Sequence, residues 1–122
     1  MIDHISIGVT DLERSVAFYD GVLGTLGYSR VWRTDDAAGY GRDGADDKLA
    51  LFSNHSAQTP GPGFHLAFTA PSEEAVRQFH ALAIELGGLD RGPPALRKNY
   101  SPTYYAAFVL DPDGWKLEAV RQ

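Results

Sequence analysis

Asp3-His4-Ile5-Ser6-Ile7-Gly8-Val9 is answered 61 residues further on by Phe64-His65-Leu66-Ala67-Phe68-Thr69-Ala70. Successive side chains of a β-strand point to opposite faces, so the first stretch reads as a strand with Ile5, Ile7 and Val9 on an apolar face. His4, Ser6 and Gly8 take the other face, as His65, Ala67 and Thr69 do in the second stretch. The same shift lays Phe18 on Phe79 and Gly27 on Gly88. With a longer second loop allowed for, Lys48-Leu49-Ala50 lines up with Lys116-Leu117-Glu118. Agreement in element order, more than in identity, marks an internal repeat of two βαβββ modules. The chain is expected to be an α+β fold over residues 1–122, with module one at 1–54, a linker at 55–63 and module two at 64–122. Each sheet would rest one face on its own helix and have the other covered by its mate, forming paired half-barrels around a central cleft.

Between the repeated strands the signals are local. Thr10 and Glu13 fit a capping box, and Leu12, Val16, Tyr19, Leu23 and Leu26 then recur at helical spacing up to Gly27. Residues 28–33 and 48–52 read as strands, with a short strand around Tyr40 between them. In module two Ser72 is a good N-cap, followed by Glu73 and Glu74 and by the stripe Val76, Phe79, Ala83 and Leu86. Residues 90–103 read as a long loop. Residues 104–110 and 115–120 read as a hairpin around Asp111-Pro112-Asp113-Gly114, a sequence suited to a type I turn followed by a left-handed glycine. That register sets Phe108 opposite Glu118. Glu118, Lys116, Phe108, Ala106 and Tyr104 then share one face, and the small apolar Leu117, Ala119, Val109 and Ala107 share the face suited to a helix.

Composition narrows the function. The 122 residues are 43% hydrophobic and 22% charged, an ordinary globular balance for one domain. A net charge of −5 without a basic stripe argues against nucleic acid. With no cysteine, thiolate metal sites and cysteine nucleophiles are excluded. The chain opens directly into a strand and carries no apolar run of membrane-spanning length, so a cytoplasmic location is expected.

His4, His65 and Glu118 are polar ligand types placed inside strands, and two imidazoles with one carboxylate form the donor set of a facial divalent-metal site. Singly, each has a plain structural reading as a satisfied strand residue; together on a cleft face they read as a site. Mn, Fe, Ni, Co and Zn all accept such a set. Tyr104 shares the face of Glu118 and is the candidate catalytic residue. Arg97, Lys98 and Tyr100 could hold an anionic group of a substrate, and Ser6 could hydrogen-bond one.

Residues 4–19 (HISIGVTDLERSVAFY), 64–68 (FHLAF) and 108–120 (FVLDPDGWKLEAV) resemble the vicinal oxygen chelate superfamily of glyoxalases, bleomycin-resistance proteins, fosfomycin-resistance transferases and extradiol dioxygenases. The resemblance is strongest to small bacterial glyoxalase-like proteins. It implies a metal-dependent enzyme, of lyase or dioxygenase type, acting on a small substrate chelated through vicinal oxygens. It also implies a homodimer, often with His4 supplied by one chain and His65 and Glu118 by the other. Glyoxalase I has a further carboxylate ligand where this chain has Ala50. In fosfomycin-resistance transferases a hydroxyl residue stands at the position of Ser6 and a substrate-binding tyrosine at that of Phe108. Bleomycin-resistance proteins bind drug without metal, so a non-catalytic sequestering protein is the alternative reading.

Overall fold

The computed structural model describes residues 1–122. Module one runs β1 (Ile5–Val9), α1 (Leu12–Gly24), β2 (Ser29–Arg33), β3 (Ala37–Gly41) and β4 (Asp47–Ser53). Module two repeats it as β5 (Leu66–Thr69), α2 (Glu73–Glu85), β6 (Leu89–Leu96), β7 (Tyr105–Leu110) and β8 (Lys116–Arg121). The sheets have the orders β1-β4-β3-β2 and β5-β8-β7-β6, each with its first strand parallel to its last and the rest antiparallel.

The apolar stripes become the core. Leu12, Val16, Tyr19 and Leu23 are buried on α1, and Val76, Phe79 and Ala83 on α2. The two helices pack on each other, and Phe18 and Phe79, equivalent in the repeat, are both fully buried in one apolar cluster drawn from both modules. Gly21 permits the approach of the helices, since a Cβ there would stand 2.6 Å from Leu86 Cδ1.

Two local expectations change. The cap of α1 is Asp11, whose carboxylate accepts from Arg14 N at 3.1 Å. Thr10 is committed elsewhere: its N–H and hydroxyl donate to the Asp113 carboxylate, while Glu13 pairs with Arg33. A long-range partner therefore wins over the local capping box. The second change is β6, where a loop was expected over 90–103. Leu89–Leu96 instead pairs with β7 across two bulges. Pro93 and Pro94 are tolerated because β6 is an outer strand, where a missing N–H need not break a ladder. Ser72 caps α2 as expected, accepting from Ala75 N at 3.1 Å.

The β7–β8 turn locks the modules together. Asp111 N donates to Trp115 O at 2.9 Å, and Gly114 takes the left-handed conformation (φ 96°). Trp115 Nε1 donates to Gly8 O at 2.9 Å, Tyr19 OH donates to Asp111 Oδ2 at 2.6 Å, and Arg14 pairs with Asp113 at 3.0 Å. The helix-side faces are thus consumed by a shared core. The opposite faces are open: Ser6, Lys48 and Phe52 on one sheet, and Ala67 and Thr69 on the other, are exposed. Covering of one free face by the other, expected between the two modules, is not made within a single chain.

Candidate functional site

The free face of module two is where polar chemistry collects. β5 and β8 are parallel neighbours with Ala67 opposite Glu118, so His65, two residues earlier, sits on Glu118's face. His65 Nε2 lies 2.9 Å from Glu118 Oε2. Tyr104, just before β7, donates its hydroxyl to Glu118 Oε1. Glu118 is only 1% exposed, and these two partners satisfy a carboxylate that would otherwise be costly to bury. Burial, and then the hydrogen bond to Glu118, push the Tyr104 hydroxyl up to about 12, so at neutral pH it is a fixed donor.

Phe108 lies opposite Glu118, as the hairpin register requires. The His65 ring stands edge-on to it with centroids 5.7 Å apart, and the Arg97 guanidinium and Lys116 ammonium each lie 5.1 Å from its centroid. Around this group is a cleft of about 480 Å³, lined also by Arg91, Asn99 and Tyr100. Tyr100 packs against Tyr104 with ring centroids 5.0 Å apart. Another cavity, of about 350 Å³, opens where the modules meet and includes Tyr28, Arg42, Lys48 and Phe68, but none of the candidate residues.

Of the sequence candidates, His65, Glu118, Tyr104, Phe108, Arg97 and Tyr100 are brought together. His4 and Ser6 are not. Both belong to the other sheet, and within one chain no three His, Cys, Asp or Glu side chains approach closely enough to hold one metal ion. His4 is half exposed, and its Nδ1 sits 2.7 Å from Asp3 Oδ1, which leaves Nε2 turned to other partners. Lys98 is exposed and does not line the cleft. Arg91, Asn99 and Lys116 were missed as lining residues. Lys116 was legible from the hairpin, since it shares the face of Glu118; Arg91 was hidden because β6 read as loop.

The pair His65 and Glu118 suits a divalent metal. Two adjacent donors on one cation, each at roughly 2.1 Å, stand about 3 Å apart. The 2.9 Å between Nε2 and Oε2 matches that separation without movement.

The sequence profile of the Glyoxalase/Bleomycin resistance protein/Dioxygenase superfamily matches residues 1–119. Among solved structures, a glyoxalase/bleomycin resistance protein from Albidiferax ferrireducens is 33% identical, with a TM-score of 0.86, covering 98% of this chain and 97% of the other. A putative glyoxalase from Bacillus halodurans is 32% identical, with a TM-score of 0.70, covering 98% and 94%. A glyoxalase I variant from Zea mays is 26% identical, with a TM-score of 0.74; the match covers 96% of this chain but 44% of the maize chain. No protein of curated function matches the sequence. No helix is long and apolar enough to cross a membrane.

Proposed function

We propose, from the premise that this chain belongs to the glyoxalase/bleomycin resistance protein/dioxygenase superfamily, that two copies of it build a divalent-metal site acting on a small substrate bound through vicinal oxygens. His65 and Glu118 of one copy and His4 of a second copy are its ligands. The observation that carries this reading is the 2.9 Å spacing of Nε2 and Oε2 in an open cleft. Two further features support it. The free faces of both sheets are exposed in a single chain, and His4 presents an uncommitted Nε2 behind a carboxylate that holds its ring.

A divalent cation held there would supply Lewis acidity to a substrate oxygen. The chain's own residues do the rest. Tyr104 fixes Glu118 through Oε1, so that Oε2 keeps its place beside His65. Its raised pKa keeps the hydroxyl protonated, and so donating, further into the alkaline range than an ordinary tyrosine. Phe108 forms an apolar wall opposite Glu118, while Arg97 and Tyr100 line the substrate space. Ser6 shares the face of His4 and would enter the cleft with it. The protein is thus read as a homodimeric metal-dependent enzyme, using Mn, Fe, Ni, Co or Zn.

Purification without chelator followed by metal analysis tests this. One metal per chain is expected, lost in both His65→Ala and His4→Ala. A second reading is favoured by one observation: His65 and Tyr104 by themselves give the buried Glu118 carboxylate two hydrogen-bonding partners. A metal-free wild type that still binds small molecules in the cleft would select that sequestering role.

A further inference from the structure

We propose that the cleft beside His65 and Glu118 takes a substrate carrying an oxyanion, a carboxylate or a phosphate, held by Arg91, Arg97 and Lys116. The inference rests on reading this cleft as the substrate site, but not on the presence of a metal.

Three cations line one cleft in a chain whose net charge is −5. Elsewhere Arg14, Arg30, Arg33 and Arg77 are each paired with a carboxylate, while Arg42, Lys48, Lys98 and Arg121 are unpaired but do not line this cleft. Arg91, Arg97 and Lys116 have no such partner; Arg91 and Arg97 donate only to backbone carbonyls of Asp90 and Pro93. The one carboxylate in the cleft, Glu118, is occupied by His65 and Tyr104. Three cations against one carboxylate leave the cleft with an excess of positive charge, and an entering anion offsets that excess where water is partly excluded.

Arg97 is fixed in place by its neighbours. Its Nη2 donates to Pro93 O at 2.8 Å, and its guanidinium lies over Phe108. Gly92 makes room for it, since a Cβ there would stand 3.0 Å from Nη2. Held in this way, Arg97 has a buried Nε with no acceptor. A buried donor left without an acceptor costs more than an average hydrogen bond returns, so Arg97 is held beside the cleft at a cost in stability. Lys116 is drawn to the same ring, at 5.1 Å from its centroid. Phe108 therefore acts as a positioning residue, gathering two cationic heads by its ring quadrupole beside the carboxylate. A guanidinium fork and an ammonium suit a planar carboxylate or a tetrahedral phosphate, and neutral donors from Asn99 and Tyr100 complete the lining.

Calorimetric titration of the full chain with inorganic phosphate and with malonate, each with chelator and with added Mn(II), tests the assignment. One anion per chain is expected whether or not metal is present, weakening as salt rises. Lys116→Gln and Arg97→Gln should each weaken binding about tenfold. Arg77→Gln, which makes the same charge change on the outer face of α2, should leave it unaltered. The ratio of malonate to phosphate affinity names the oxyanion. If Arg97→Gln disturbs folding, Arg91→Gln on the exposed edge takes its place, with the same loss expected. Equal loss in Arg77→Gln, no loss in the cleft variants, or no binding of either anion overturns the proposal. Anion binding that requires metal and ignores these cations would overturn it while leaving the metal reading intact. Binding that survives in a protein with no metal affinity would do the reverse.

Discussion

Where β8 carries Glu118 beside Ala67 of β5, β4 carries Ala50 beside Ser6 of β1. The third strand of each sheet faces that position with Phe108 in module two and Gly39 in module one. The space above Gly39 is taken by the Trp32 indole, since a Cβ there would stand 2.0 Å from Nε1. Module one therefore covers the spot beside Ala50 with a tryptophan, although Ser6, Lys48 and Phe52 on the same sheet stay exposed, and module two leaves the equivalent spot open around a buried carboxylate. The helix sides, by contrast, stay equivalent, with Phe18 and Phe79 both wholly buried. Duplication has kept the scaffold and divided the chemistry: module two holds a carboxylate, an imidazole, a tyrosine and three cations, and module one holds the candidates His4 and Ser6. This division is why the proposed site draws on a second copy.

Equivalence of the helix sides predicts the largest effects. Phe18→Ala and Phe79→Ala should each cost roughly 3–5 kcal/mol in denaturant unfolding, with similar values. A large gap between them would mean that one module dominates the core. On the free faces the modules should differ. Ala50→Glu places an unpaired carboxylate where Trp32 closes the surface, and should destabilise by about 3 kcal/mol without raising metal affinity. Retained stability with tighter metal binding would show that Ala50 faces the shared site after all.

Tyr104→Phe is the smallest of these. It removes one hydrogen bond from the buried Glu118 and should cost about 1–2 kcal/mol, while weakening metal binding about tenfold. The pH dependence follows from its hydroxyl, whose folded pKa of about 12 lies above the ordinary 10.0. A group with a raised folded pKa contributes stability that is complete below its unfolded pKa, here pH 10. That contribution is lost as pH climbs toward 12. Alkaline unfolding of Tyr104→Phe should lack this part of the slope. The slope left by Tyr19 and Tyr40 remains, since burial raises both of those hydroxyls too.

Much of the fold was legible because its signals are local. The repeated His4 and His65 strands and the helical stripes needed only neighbours in sequence. The Asp111-to-Gly114 turn did too, and it set Phe108 against Glu118 correctly. What escaped depends on distant partners. Thr10 reads as a cap until Asp113 claims it across the module boundary. Leu89–Leu96 reads as loop because Pro93 and Pro94 speak against a strand, and only its place at a sheet edge makes them harmless. The candidate site divides in the same way. Glu118, Tyr104 and Lys116 follow from one hairpin register, whereas His4 lies on the other sheet, away from them within one chain, and no local pattern encodes what it meets.

The mixing of two silent variants tests that assembly most directly. His4→Ala and His65→Ala are each expected to lose metal binding. If His4 is supplied by a second copy, unfolding and refolding equal amounts together forms mixed dimers with one intact site each. Random pairing then restores about one quarter of the wild-type metal sites. If the mixture binds no more metal than either variant alone, His4 and His65 do not meet across copies, and the account of a shared site is contradicted.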